Sequence, residues 1–350
     1  ASGQNATMGA TGSVLLGLLD GATFTNAGTL TGSGGAQFFN DGGAASTFAN
    51  SGTLDVTGSF TVGSGLTFNN TGVVNVQVGT LSIGAAYNAA PSGAIPVSSG
   101  ASLKFSGTFA QPAGITNNGS ITTSGVGSSG AITGPGSLSI TGGTLKLNTN
   151  SGVSAQNSLS ITGGQLDLNN NHFFINYGAG SDPITTIAGY VKSGYASGSW
   201  TGPGIMSTAA QTLTNGLKYG LGYADGKDGK VTGLTSGQIE VKYTLLGDAN
   251  LDSLVNAADF TILAANFNQP VTSWDQGDFN YDGLVNAADF TDLAANFNQP
   301  VSGAASAGDV AALDAFAAAN GISLANVPEP TSTAMIVMAG LGILRRRRRR

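Results

Sequence analysis

SLSITGGTLKLNTNS, from Ser137 to Ser151, returns twenty-one residues later as SLSITGGQLDLNNNH, from Ser158 to His172. Within each copy apolar and small polar residues alternate. Leu138 and Ile140 point one way and Ser137, Ser139 and Thr141 the other; Leu145 and Leu147 resume the pattern after Gly142-Gly143. Period-two alternation in runs of four or five, bounded by Gly and Asn, is the pattern of short strands joined by tight turns.

A looser unit recurs upstream: NAGTL from Asn26, NSGTL from Asn50, NTGVV from Asn70 and NNGSI from Asn117. The spacings are 24, 20 and 47, the last close to two units. A period drifting between 20 and 24 gives roughly eight units before residue 176. One short strand pair buries too little apolar surface to stand alone, whereas units stacked at ~4.8 Å share a core and satisfy each other's backbone groups. The chain is therefore expected to be mainly β, with a parallel β-solenoid (a β-helix) of about eight coils over residues 1–176. It would stand on the order of 40 Å tall. The 21-residue register sets Lys146 against Asp167 on the outer face and Asn148 against Asn169. An exposed ion pair of this kind contributes ~0.2–1 kcal/mol and reads as register support.

Composition agrees. Of 350 residues 55 are glycine, yet 41% are hydrophobic and 9% charged, which excludes a disordered polyampholyte. No three-residue glycine period marks a collagen. Cysteine is absent, so there is no disulfide, thiolate metal site or cysteine nucleophile. All six arginines are the last six residues, and without them the formal net charge of −6 becomes −12. An acidic body with no basic stripe argues against nucleic-acid binding.

The glycine- and asparagine-rich repeat resembles the solenoids of filamentous haemagglutinin-like and autotransporter-type surface proteins. Some β-helices are polysaccharide lyases or hydrolases, whose sites resemble clusters of acids beside an arginine or lysine. Here Asp20, Asp41, Asp55 and Asp167 are isolated and the repeat has no arginine. His172, the one histidine, closes LDLNNNHFF and reads as a turn residue. No catalytic residue is assigned, and the chain is not read as an enzyme.

Residues 177–243 read as a capping and connecting α+β segment. In DPITTIAGYVKSG, Asp182 is placed as N-cap and Pro183 at the first helical position, with apolar residues at 184, 187, 190 and 191. Trp200, Tyr190, Tyr195, Tyr219 and Tyr223 would form a small core closing the solenoid; alternatively they would lie exposed on a flat face as a sugar platform. ADGKDGK at 224–230 reads as a turn.

The strongest chemical signal is a duplication thirty residues apart: GDANLDSLVNAADFTILAANFNQPV from Gly247 and GDFNYDGLVNAADFTDLAANFNQPV from Gly277. Oxygen donors at loop positions 1, 3, 5, 7 (a carbonyl), 9 and 12 suit a hard cation such as Ca²⁺. They are Asp248, Asn250, Asp252, Leu254, Asn256 and Asp259, then Asp278, Asn280, Asp282, Leu284, Asn286 and Asp289. Position 12 opens a helix in each copy, with Phe260, Leu263 and Phe267 on one stripe and Phe290, Leu293 and Phe297 on the other, so the two stripes are expected to pack together. Eight aspartates between 248 and 292 without a cation should repel one another until metal binds.

This stretch, residues 244–302, closely resembles a type I dockerin, a loop–helix pair that folds around two Ca²⁺ and in cellulosomes docks onto cohesin. The resemblance implies a cohesin-like or other surface partner. Two departures stand out. Position 6 of the first loop is Ser253 where glycine is usual, which should cost ~1 kcal/mol and weaken that site. Positions 10 and 11 are Ala257-Ala258 and Ala287-Ala288, and residues 243–344 contain no lysine or arginine, which counts against cohesin docking.

Residues 303–326 read as a helix, capped by Ser306 and ended by Gly321, followed by a linker. In the tail, 327–350, the apolar run from Thr331 to Leu344 is 14 residues, ~21 Å as a helix and short for a ~30 Å bilayer. It is expected to form a C-terminal hydrophobic helix in transient membrane contact, held by the arginines. Pro328, Glu329 and Pro330, the apolar run and the arginine cluster together resemble a PEP-CTERM sorting signal. That family implies recognition and removal by exosortase, and export to the surface or matrix of a Gram-negative-type bacterium that makes extracellular polysaccharide. The run from Gly12 is too mixed with glycine to be a leader's apolar segment, so an exported chain would have lost its leader or this is a fragment. The features together point to a surface or matrix protein with a structural or adhesive role, exopolysaccharide among its partners. A carbohydrate-active or carbohydrate-binding protein assembled through the calcium module is the alternative.

Overall fold

The computed structural model describes residues 5–9, 12–271, 273–299 and 306–323. The chain divides into two units. The first comprises residues up to 211 with 225–229 and 233–243, and the second comprises 212–224, 230–232 and the chain from 244 onward.

The first unit is a parallel β-solenoid with three faces. Every third strand falls on the same face, giving sheets of seven, eight and nine strands. One face runs from Asn5–Met8 to Ile132–Thr133, the next from Leu15–Leu18 to Ser158–Ile161. The third runs from Thr23–Asn26 through Gln165–Asp167 to Gly204–Met206. Eight strands on the second face correspond to about eight coils, as the repeat implies. The Ser137 and Ser158 copies pair in parallel, Leu138 beside Leu159 and Ile140 beside Ile161. Coil length drifts more widely than the motif spacing, from 24 residues (Thr29 beside Thr53) to 17 (Ser120 beside Ser137).

Alternation puts one apolar row of each strand inside. Leu138, Ile140, Leu145 and Leu147 are all buried. Through the first coils the core is a column of rings. Phe48 stacks on Phe68 at 4.5 Å, Phe68 meets Tyr87 at 5.0 Å, and Phe105 stacks on Phe109 at 4.4 Å. Beside it runs a buried amide ladder. Asn26 Nδ2 donates to Asn50 Oδ1 and Asn50 Nδ2 to Asn70 Oδ1, both at 2.7 Å; Asn70 then reaches Tyr87 Oη, which donates to Gln111.

The fourth asparagine unit behaves differently. Asn26, Asn50 and Asn70 end strands of the third face, but Asn117 ends Ile115–Asn117 on the first face. It turns a different corner of the coil, where its amide donates to Gln156 Oε1 and Ser137 O. The spacing of 47 is therefore not two periods of one site.

Lys146 does pair with Asp167, Nζ to Oδ2 at 3.4 Å, but the pair is not an exposed one. Asp167 is 1% exposed, and its Oδ1 accepts from the backbone N–H of Asn169 and Thr208. The segment 207–208 covers it, and Lys146 also donates to Thr208 Oγ1. Asn148 does not face Asn169: the Asn169 amide donates to Leu147 O and Thr149 Oγ1. The offset shortens past Asp167, so that Asn170 meets Asn150 and His172 pairs with Val153.

The solenoid ends where pairing changes sense. Strand His172–Asn176 runs parallel to Val153–Gln156 on one side and antiparallel to residues 238–242 on the other. Helix α1, Ile184–Tyr195, covers the last coil with Ile187, Val191 and Gly194. A side chain at Gly194 would lie 1.8 Å from Ile205 O, so only glycine lets the helix cross the final strand this closely. Asp182 accepts from Ile184 N, one position earlier than a regular N-cap, with Pro183 at the boundary.

Candidate functional site

In the second unit α2 (Ala257–Asn266) and α3 (Ala287–Ala295) each follow one of the duplicated loops. The loops share one backbone-to-side-chain hydrogen-bond frame. Asp248 accepts from the N–H of Asp252 on Oδ1 and of Ser253 on Oδ2, at 3.0 Å each. Asp278 accepts from Asp282 and Gly283 at 3.1 and 3.0 Å. Asn250 and Asn280 accept from Asp252 N and Asp282 N; Asp252 and Asp282 accept from Leu254 N and Leu284 N. Asp259 takes Ala249 N and Asn250 N on Oδ1 and Asn256 N on Oδ2, while Asp289 takes Phe279 N, Asn280 N and Asn286 N. Asn256 and Asn286 cap their helices, with Asp259 and Asp289 completing capping boxes.

These bonds orient every acid of the loop. Asp248, Asp259, Asp278 and Asp289 are buried, whereas Asp252 and Asp282 are exposed. Burial pushes the carboxyls of Asp259 and Asp289 up to about 7, against the N–H bonds they accept; Asp248 and Asp252 add repulsion at the first, Asp278 at the second. Among the described residues no three His, Cys, Asp or Glu side chains gather by themselves as a metal cluster. The donor set in each loop is instead mixed: three carboxylates, two asparagine amides, and the Leu254 or Leu284 carbonyl. All are oxygens, which fits a hard cation such as Ca²⁺ and not a soft one.

Position 6 has positive φ in both loops, +73° at Ser253 and +93° at Gly283. Position 8 ties the repeats together reciprocally. Val255 exchanges bonds with Asn298 and Gln299 after α3, and Val285 with Asn268 and Gln269 after α2. Phe260 meets Phe290 at 6.3 Å, and a third helix, α4 (Ala307–Ala319), joins them. Its Phe316 lies 5.3 Å from Phe260, 4.9 Å from Phe267 and 5.4 Å from Phe290. Ser306 caps α4 through Asp309 N.

Three contributors escape a reading of the loops alone: Thr244, Trp274 and Phe316. Thr244 Oγ1 donates to Asp248 Oδ2, and Trp274 Nε1 donates to Asp248 O at 2.7 Å. Thr244 and Trp274 are thirty residues apart and so occupy equivalent positions of the duplication. That register is the signal that could have found them.

Elsewhere, Trp200 and Tyr223 are each 2% exposed, Trp200 packing edge-on against Tyr195 at 5.1 Å. They are core residues and not members of an exposed sugar platform. His172 Nδ1 lies 3.0 Å from Glu240 Oε1. Asp225 accepts from Lys227 N within the 224–230 turn. Pro328, Glu329, Pro330 and the apolar run Thr331–Leu344, with the C-terminal hydrophobic helix expected there, lie outside the described residues. Among the described residues no helix is long and apolar enough to cross a membrane.

No family model matches the chain, and no curated protein or solved structure matches it.

Proposed function

We propose that this is an exported surface or matrix protein whose solenoid has a structural or adhesive role and whose second unit is a calcium-stabilised docking module. The carrying observation is the pair of loops with matching hydrogen-bond frames around an oxygen-only donor set. Asp248, Asn250, Asp252, Leu254, Asn256 and Asp259 would hold one ion, and Asp278, Asn280, Asp282, Leu284, Asn286 and Asp289 the other, Asn256 and Asn286 at position 9 also capping the helix that follows each loop. Calcium would supply positive charge among these crowded carboxylates. The solenoid supports a load-bearing or adhesive role because its coils share one apolar core and a buried amide ladder, and its acids are scattered. Residues 328–330 and the tail beyond them support processing by exosortase and display at the surface of a Gram-negative-type cell, with a surface protein or exopolysaccharide as partner.

The test is calcium titration of the full chain by calorimetry, with far-UV circular dichroism in calcium and in excess chelator. Two bound ions and helical signal lost to chelator are expected. An unchanged spectrum with no heat of binding defeats the calcium reading. Capture from a surface extract, with and without chelator, then separates a docking device from a structural clamp.

A further inference from the structure

The two loops have matching frames, but what surrounds them breaks the symmetry, and the break converges on one residue. Asp248, position 1 of the first loop, receives a side-chain bond from Thr244 and a backbone-carbonyl bond from Trp274. Trp274 belongs to the segment joining the repeats and is fully buried. Its indole packs against positions 2 and 4 of the second loop, 5.0 Å from Phe279 and 5.7 Å from Tyr281. Tyr281 Oη in turn bonds both Leu221 N and Leu221 O, pinning the second loop to residues 219–224. That segment carries glycine where it meets the indole: a side chain at Gly222 would lie 2.8 Å from Trp274 Nε1 and 2.5 Å from Leu251, position 4 of the first loop. One rigid ring therefore meets the second loop edge-to-face at Phe279 and tilted at Tyr281, and the first loop at its nitrogen.

We infer that Trp274 couples the two calcium sites, so that filling the second loop raises the affinity of the first. The inference rests on the calcium reading above. The second loop has Gly283 at its turn, while the first holds Ser253 at φ +73°. Ordering Phe279 and Tyr281 fixes the indole, and the fixed Nε1–H holds Asp248, so the second ion pre-organises the first loop. The position-8 bonds from Val255 and Val285 to the opposite repeat act in the same direction. Coupling between sites of this kind is typically about 5- to 150-fold, and it is reciprocal.

The test is calcium titration of the full chain by calorimetry with chelator competition, on the wild type, Asp282→Ala, Asp252→Ala and Trp274→Phe. Asp282 and Asp252 are exposed, so their removal empties one loop without opening the core. The wild type should bind two ions with a Hill coefficient above one. Asp282→Ala should leave one ion bound about tenfold or more weakly than the first-loop step of the wild type, and Asp252→Ala should weaken the second loop by the same factor. Trp274→Phe, which keeps a ring and loses the donor, should still bind two ions with most of the cooperativity gone. Two ions bound independently in the wild type, with the first loop indifferent to Asp282→Ala, would overturn the coupling and leave the calcium reading standing. A wild type that binds no calcium would overturn both.

Discussion

Asn50 donates from Nδ2 to Asn70 Oδ1 at 2.7 Å, and both side chains are 1% exposed. Two amides of this ladder also serve backbone carbonyls: Asn26 bonds Thr53 O and Asn50 bonds Val73 O. An asparagine here fixes the turn of its own coil and the position of the next. Replacing Asn50 with alanine leaves Asn70 Oδ1 and Val73 O without that donor, and a buried group so stranded costs about 1–3 kcal/mol. The urea midpoint of the β signal should fall accordingly. Ser64→Ala, at an exposed turn, should change stability by less than about 0.5 kcal/mol. Equal shifts for the two variants would remove the ladder from the account.

The Lys146–Asp167 pair should be strongly asymmetric under mutation. Lys146 is 42% exposed and Asp167 1%. Lys146→Ala loses a partly solvated contact, about 0.2–1 kcal/mol. Asp167→Ala leaves Asn169 N and Thr208 N unsatisfied beneath the covering segment, and bonds to a charged acceptor contribute about 1.5–3 kcal/mol each before relaxation. Thermal denaturation of the two single variants decides it. A larger loss for Lys146→Ala would mean that the charge on the lysine matters more than the N–H bonds.

What was legible in the chain follows from these cases. Alternation and the 21-residue offset fixed the strands and the pairing of Ser137 with Ser158, because those signals are local or repeat in register. The burial of Asp167 was not legible, since it depends on Thr208, forty-one residues away and outside the repeat. Asn117 misled for a chemical reason: an asparagine satisfies a tight inward corner wherever one occurs, so the same residue type marks different faces. In the loops the candidate donors stand at regular spacing, and the thirty-residue register with Thr244 marks the position of Trp274; what the register does not give is the bond itself, from an indole nitrogen to the Asp248 carbonyl.

Ser253→Gly should strengthen the first loop. Serine there holds φ at +73°, a region glycine enters without steric penalty. Recovering about 1 kcal/mol corresponds to about fivefold tighter calcium binding. The mirror change, Gly283→Ser at φ +93°, should weaken the second loop by at least as much. Calorimetric titration of both variants checks the pair. Unchanged first-loop affinity in Ser253→Gly would show that the positive φ at Ser253 carries no cost to binding.

Phe316 is the prediction on which the boundary of the second unit depends. The sequence treats residues 303–326 as a helix and linker apart from the calcium loops, yet Phe316 meets Phe260, Phe267 and Phe290 within 5.4 Å. Leu313 and Ala317 flank it, both buried. Two short helices of ten and nine residues are marginal on their own in water, so their stripes need this third surface. Phe316→Ala should cost up to about 3 kcal/mol, below the full figure for a buried ring because Phe316 is only half-buried. On the proposed calcium reading the ion binds the folded unit and not its unfolded form, so the same loss should appear as weaker apparent affinity at both loops. Phe316→Leu should restore most of it. The discriminating measurement is limited chymotryptic digestion in calcium: Phe316→Ala should open cleavage around Phe260 and Phe267 while the solenoid strands stay protected. Digestion identical to wild type would mean that α4 is an accessory and the loop–helix pair stands without it.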